Sequence, residues 1–141
     1  SSQVGCAVAC TFCATGLMGL VRSLTPEEIA DQVLFWRQYM AQQGLPGRVD
    51  NIVYMGMGEP FACYDNVAAS LKLLMDQKLY AIGARHIAVS TSGVAPKMVQ
   101  FGKDFPQVNL ALSLHSAVDE LRTRLVPMNK AYDLAALSAA L

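Results

Sequence analysis

A chain of 141 residues is long enough for one domain with a real core. Its 53% apolar and 16% charged residues suit buried parallel strands, or a piece of a larger domain whose core is completed elsewhere. Eleven basic and eleven acidic residues leave no net charge, which excludes an overall electrostatic footprint for nucleic acid. No apolar run approaches bilayer-spanning length, since the most apolar stretch, Ala7 to Val21, is broken by Thr11, Thr15 and two glycines.

An extended stretch leads into a loop, GCAVACTFCATG, in which Cys6, Cys10 and Cys13 are spaced C-x3-C-x2-C. Three thiolates at this spacing can hold three corners of a cubane iron–sulfur cluster and leave its fourth iron without a protein ligand. Most such clusters use four cysteines and serve electron transfer. An open iron can bind a substrate, as catalytic zinc keeps one position open, and the spacing resembles the signature of the radical S-adenosylmethionine enzymes, which implies S-adenosylmethionine chelated there through its amino and carboxylate groups. The alternatives fit less well. A disulfide framework has no secretory signal to support it. A structural zinc site wants four ligands in two pairs, and the remaining candidates, Cys63, His86 and His115, lie far along the chain. Cys63 reads as a small packing residue. Reduced thiols point to the cytoplasm.

Beyond the loop, Thr25-Pro26-Glu27-Glu28 opens a helix with Thr at the N-cap and Glu three residues on. Ile29, Val33, Trp36 and Met40 form its apolar stripe, and Gly44 to Gly47 ends it. Residues 51–55 form a strand that stops at GMGEP. Asp65 caps a second helix with Val67, Leu71 and Leu74 on one face. Residues 86–89 form a third strand, stopping at STSG, and a short helix follows Pro96. Val108 to Leu114 is a fourth strand running into Ser-Leu-His. Ser116-x-x-Asp119 caps another helix, which must end before Pro127, and a last helix starts near Asp133. This is β-α four times over, an α/β chain with a parallel sheet.

The polar and glycine-rich motifs each follow the C-terminal end of a strand, the edge at which parallel α/β folds bind ligands. Gly56, Gly58 and Pro60 let backbone approach a ligand, and Glu59 adds negative charge. Ser90, Thr91 and Ser92 offer hydroxyls. Ser113 and His115 alternate with Leu112 and Leu114 and so share a face, with His115 a pocket residue without an acid–base role. Arg22 is a solvated basic residue or a contact to an anionic partner.

The order SSQVGC..C.FC.TG..GL.R.LT..EI, VYMGMGEP..CYDNV, STSGV.P and LSLHS..DELR..LVPMNK resembles the radical S-adenosylmethionine RNA adenine methyltransferases, the dual-specificity enzymes acting on carbon-2 of adenine in 23S rRNA and some tRNAs. A sister group methylates carbon-8. The resemblance runs the length of the chain; the cysteine motif alone specifies only the radical superfamily. It implies a partial (β/α) radical barrel, with a 4Fe–4S cluster on Cys6, Cys10 and Cys13. It implies S-adenosylmethionine held by Gly58, Glu59, Ser90, Ser113, Leu114 and His115. The implied mechanism methylates a cysteine, cleaves a second S-adenosylmethionine to a deoxyadenosyl radical, and passes the methyl carbon to adenine. An electron donor such as flavodoxin, a cytoplasmic location and a monomeric enzyme follow from it.

The same resemblance implies that residues 1–141 are the N-terminal part of the radical core. The resolving and methyl-carrying cysteines, the accessory RNA-binding domain and the C-terminal part would then lie outside it, so no catalytic cysteine is assigned here and the segment alone is expected to be inactive. Cys63 stands where relatives usually carry Asn and takes neither role. Another radical S-adenosylmethionine enzyme, or a non-enzymatic metal-binding module, are the competing readings; the SLHS-to-VPMNK segment argues against the former.

Overall fold

The computed structural model covers residues 1–141. Its elements run β1 (Gln3–Gly5), α1 (Ala14–Leu17), β2 (Leu20–Ser23), α2 (Pro26–Gln42), β3 (Ile52–Tyr54), α3 (Tyr64–Met75), β4 (Ile87–Thr91), α4 (Ala95–Asp104), β5 (Asn109–Leu112), α5 (Asp119–Leu125) and α6 (Leu134–Ala140). Strands β3, β4 and β5 form a parallel sheet in that order, with Tyr54 opposite Val89 and Thr91 opposite Leu112.

The first expected strand lies outside this sheet. β1 pairs antiparallel with β2, a strand the sequence reading did not foresee, so the cysteine loop is closed at its base by a small ribbon. The ribbon is tied to the end of β3 by the Ser2 and Gln3 amides, which donate to the Met57 carbonyl at 3.0 and 3.3 Å. The chain is thus α/β with a parallel sheet, but three of the four expected strands build it.

Local signals explain most boundaries. Thr25 Oγ1 accepts from the Glu28 amide at 3.2 Å, and the Glu28 carboxylate accepts from the Thr25 amide at 2.9 Å, the reciprocal capping box read from sequence. Arg22 grips the same Glu28 through two hydrogen bonds of 2.7 and 2.9 Å, which settles its role as an internal surface ion pair. Val67, Leu71 and Leu74 of α3 are buried in the same core as Ile87 and Val89 of β4. Each such fully buried aliphatic contributes about 1.5–3 kcal/mol relative to exposure. On α2, Ile29 and Val33 are buried, but Trp36 is 54% exposed.

Two caps differ from expectation. Asp65 sits in the first turn of α3, whose N-cap is Cys63. A 3-10 turn at Pro60–Cys63 precedes it, with Phe61 packed into the core against Phe101, so the chain is already helical when it reaches Asp65. Ser116 does not cap α5 either. Its hydroxyl accepts from Val118, while Asp119 is drawn away to accept from Asn129 Nδ2 and the Leu134 amide at 2.9 and 3.1 Å. Asp133 caps α6 as foreseen, accepting from Ala136 at 2.8 Å. No helix is long and apolar enough to cross a membrane.

Candidate active site

The C-terminal ends of β3, β4 and β5 open onto one cavity of about 220 Å³, and the cysteine loop forms its other wall. Cys6, Cys10 and Cys13 line it together with Gly58, Glu59, Ser90, Ser113 and His115. Leu114 alone among the expected site residues does not. Its side chain is 40% exposed and only its carbonyl is engaged, accepting from Ser116 N at 2.7 Å and Arg122 Nε at 3.1 Å.

β5 stops at Leu112, two residues short of expectation. The Ser113 amide still donates to Thr91 at 2.8 Å, but the chain then turns sharply at His115, whose φ is +60°. That left-handed conformation is uncommon for a residue with a side chain. The alternation nevertheless survives, for Ser113 and His115 both face the cavity. Phe12 from the cysteine loop packs on the His115 ring at 4.4 Å between centroids. The loop is held from behind by α5, because the Thr11 amide donates to the Leu125 carbonyl at 3.0 Å.

Glu59 is not a free charge at the rim. It is 4% exposed, and its carboxylate accepts from the Phe61 amide at 3.0 Å, Thr91 Oγ1 at 2.7 Å, and the Ser92 amide and hydroxyl at 2.7 and 2.8 Å. Those four donors fill the capacity of a carboxylate. Glu59 therefore ties the segment after β3 to the end of β4. Gly58, with φ +98°, packs so closely that a Cβ would fall 2.6 Å from the Gln3 Cβ, and Gln3 Oε1 accepts the Glu59 amide at 2.9 Å. Ser90 and Ser113 hydroxyls meet at 2.9 Å across β4 and β5 and can reorient toward a polar ligand.

The charge pattern tells what the cavity can accept. It is lined by three thiols and a carboxylate and by no lysine or arginine. Burial pushes the Cys6 thiol up, with Glu59 and Cys13 adding to it; Cys10 is also pushed up, first by burial and then by Cys6 and Cys13. A cationic occupant would relieve all of these. No trio of Cys, His, Asp or Glu is gathered tightly enough for a single metal ion. Soft thiolates are the ligands that iron–sulfur clusters take. The donor set therefore fits an iron–sulfur cluster and the cationic ammonium and sulfonium of S-adenosylmethionine.

Cys63 lies apart from this wall. It is partly buried against the core, with its sulfur 3.6 Å from the Ser2 and Pro60 carbonyls, as a packing residue should be. A second hollow of about 210 Å³ between α2 and the free edge of β3 is mostly apolar and holds no thiol, carboxylate or imidazole.

Comparison with known proteins agrees with this geometry. Residues 1–140 match the model of the radical SAM superfamily. The chain is 51% identical over 140 residues to a probable dual-specificity RNA methyltransferase RlmN of Desulfitobacterium hafniense, and 47% identical over 141 residues to the protein of that description in Listeria welshimeri. It covers 99% and 100% of itself in these matches but only 39% and 38% of the relatives. A solved radical SAM methyltransferase from Sphaerobacter thermophilus superposes with a TM-score of 0.93 at 45% identity, over 99% of this chain and 40% of that one. With the family match running from residue 1 to 140 and the solved fold superposing along the same stretch, the chain belongs to the radical SAM superfamily.

Proposed function

We propose that the protein carrying this chain is a radical S-adenosylmethionine methyltransferase that methylates carbon-2 of an adenine in 23S rRNA, and in some tRNAs, through a methyl-cysteine intermediate. The observation that carries the reading is the meeting of Cys6, Cys10 and Cys13 with the ends of three parallel strands in one cavity. The relatives named as RNA methyltransferases support the choice of substrate.

In this reading Cys6, Cys10 and Cys13 would hold a 4Fe–4S cluster, and S-adenosylmethionine would bind beside it along the strand ends. When bound, the cluster supplies the electron that turns S-adenosylmethionine into a source of a carbon radical. The chain's residues orient the ligand. Gly58 brings backbone to the ammonium, Glu59 holds that backbone in place, and Ser90 and Ser113 present hydroxyls. His115, braced on Phe12, closes one side. Residues 1–141 serve as the N-terminal part of the radical core, with RNA contacts and the accessory cysteines supplied by other parts of the protein. An electron donor such as flavodoxin completes the system, which works in the cytoplasm as a monomer.

The test incubates the full gene product anaerobically with reductant, S-adenosylmethionine and an rRNA fragment, digests the RNA and analyses it by mass. 2-Methyladenosine is expected. 8-Methyladenosine would move the protein to the sister group, and unmodified RNA with S-adenosylmethionine cleaved would point to another substrate. The chain of 141 residues alone is expected to leave RNA unmethylated.

A further inference from the structure

We infer that Arg122 is a positioning residue that sets the shape of the S-adenosylmethionine site without touching the ligand. The inference rests on the assignment of that ligand to the cavity above. Arg122 is 0% exposed, and its guanidinium has no carboxylate partner; the chain's ion pairs are Arg22–Glu28 and Arg48–Asp50. Its three contacts are neutral oxygens. Nε donates to the Leu114 carbonyl at 3.1 Å, Nη2 to the Ser92 carbonyl at 2.5 Å, and Nη1 to Asn129 Oδ1 at 2.5 Å. Removing the guanidinium would orphan three buried acceptors, so Arg122 supports the fold as well as the site. What a planar fork does well is fix the distance and angle between its acceptors.

Those acceptors are the ends of two strands. Ser92 follows β4, which carries Ser90, and Leu114 follows β5 between Ser113 and His115. On its other side Ser92 is held by Glu59 through its amide and hydroxyl. Glu59, Ser92, Arg122 and Leu114 thus form one chain of hydrogen bonds across all three strand ends, running from the cavity wall at Glu59 and Ser92 to Arg122, which does not line the cavity. The Leu114 carbonyl that Arg122 grips is also the one that closes the strained turn at His115. Such strain persists only where the surroundings over-determine it, and Arg122 supplies that restraint from outside the turn. The bare backbone of Gly93, φ +113°, makes the reach possible: a Cβ there would stand 3.2 Å from Arg122 Nη2 and 2.8 Å from Leu137. Asn129 is in turn oriented by Asp119, which accepts its Nδ2 at 2.9 Å. The DELR and VPMN segments therefore act together as one support.

The test uses the full-length protein, anaerobically reconstituted, with S-adenosylmethionine as the probe. Arg122→Lys keeps the charge and loses the fork. Asn129→Ala removes the Nη1 acceptor together with the Nδ2 bonds to Asp119 and Thr123. Leu74→Ala, in the core of α3 and away from the cavity, controls for lost stability alone. Iron content, melting temperature and the Kd for S-adenosylmethionine are measured at a temperature where every variant is folded. Arg122→Lys should keep its iron and raise Kd about tenfold or more, Asn129→Ala should raise it about threefold, and Leu74→Ala should leave it unchanged despite a comparable loss of melting temperature. If Arg122→Lys does not fold, Asn129→Ala decides the matter. Unchanged affinity in the Arg122 and Asn129 variants, or a rise matched by Leu74→Ala, overturns the inference while the site assignment stands. Failure of the unmodified protein to bind S-adenosylmethionine overturns both.

Discussion

Glu59→Gln separates a strut from a ligand contact. The glutamine has the size of the glutamate but only one acceptor oxygen, and its amide brings two donors. Placed where Oε1 lies, the amide faces the Phe61 N–H, and Thr91 Oγ1 already accepts from the Gly93 amide at 3.1 Å. Placed where Oε2 lies, it faces the Ser92 N–H. Either way one buried backbone donor is orphaned, which costs about 1–3 kcal/mol, and the remaining bonds lose their charge assistance, about 1 kcal/mol each. Relief from burying a carboxylate offsets part of this. The net expectation is a loss of about 3 kcal/mol, or about 10 °C in melting temperature for a domain of this size.

The assay is calorimetry on the protein without ligand. A shift of about 3 °C or less would refute the strut, since a residue that serves the ligand alone leaves the free protein's stability unchanged. A large shift in the free protein, with S-adenosylmethionine binding weakened in step, is the expected result.

Replacing Cys6, Cys10 or Cys13 by Ala should abolish the visible absorption of the reconstituted cluster and the paramagnetic signal of its reduced form, whereas Cys63→Ala should keep both. Thr25→Ala breaks the capping box and should lower stability by about 1 kcal/mol, read as about 3 °C in thermal melts. Glu28 is held down to about 2 by Arg22 and the Thr25 amide, from an ordinary value near 4.5, so its support of α2 is complete above that ordinary value and fades as pH falls toward 2; an acid titration of helicity with Arg22→Ala should show the fading begin at higher pH. Tyr54 is buried, with its hydroxyl 2.8 Å from Ser70, and burial pushes it up to about 12. Because the folded value lies above the unfolded one near 10, its contribution is whole below pH 10 and is lost as pH rises toward 12, at up to about 1.4 kcal/mol per pH unit. Tyr54→Phe should make the alkaline loss of stability less steep in denaturant titrations.

What could be read from sequence was local or periodic. The Thr25–Glu28 box, the Val67–Leu71–Leu74 face and the alternation of Ser113 with His115 each depend on neighbours a few residues apart. The cysteine spacing needs only one loop, and the placement of motifs after strands needs only the order of elements. β2 was invisible because Leu20 and Val21 are exposed, at 45% and 72%, so no buried face marks the strand, and its partner β1 is too short to announce a ribbon. Asp65 and Ser116 misled because side chains that can cap are drawn elsewhere once distant segments pack. Glu59 misled in a similar way: a charged residue in a glycine-rich turn reads as exposed until Thr91 and Ser92, more than thirty residues on, arrive to surround it.

Arg122 marks the deeper limit. Two of its three partners are backbone carbonyls 8 and 30 residues away, and a carbonyl leaves no trace in sequence because every residue has one. The placement has an electrostatic logic of its own. The cavity wall carries three thiols and Glu59 and no basic side chain, while the one buried guanidinium stands behind the strand ends and takes neutral oxygens as partners. Were Arg122 to line the cavity, its charge would repel the cationic groups of the proposed ligand. Held behind it, the guanidinium fixes the strand ends and keeps its own charge off the wall that faces the cavity. Ser92 sits at the division, giving its amide and hydroxyl to Glu59 on the cavity side and its carbonyl to Arg122 on the other.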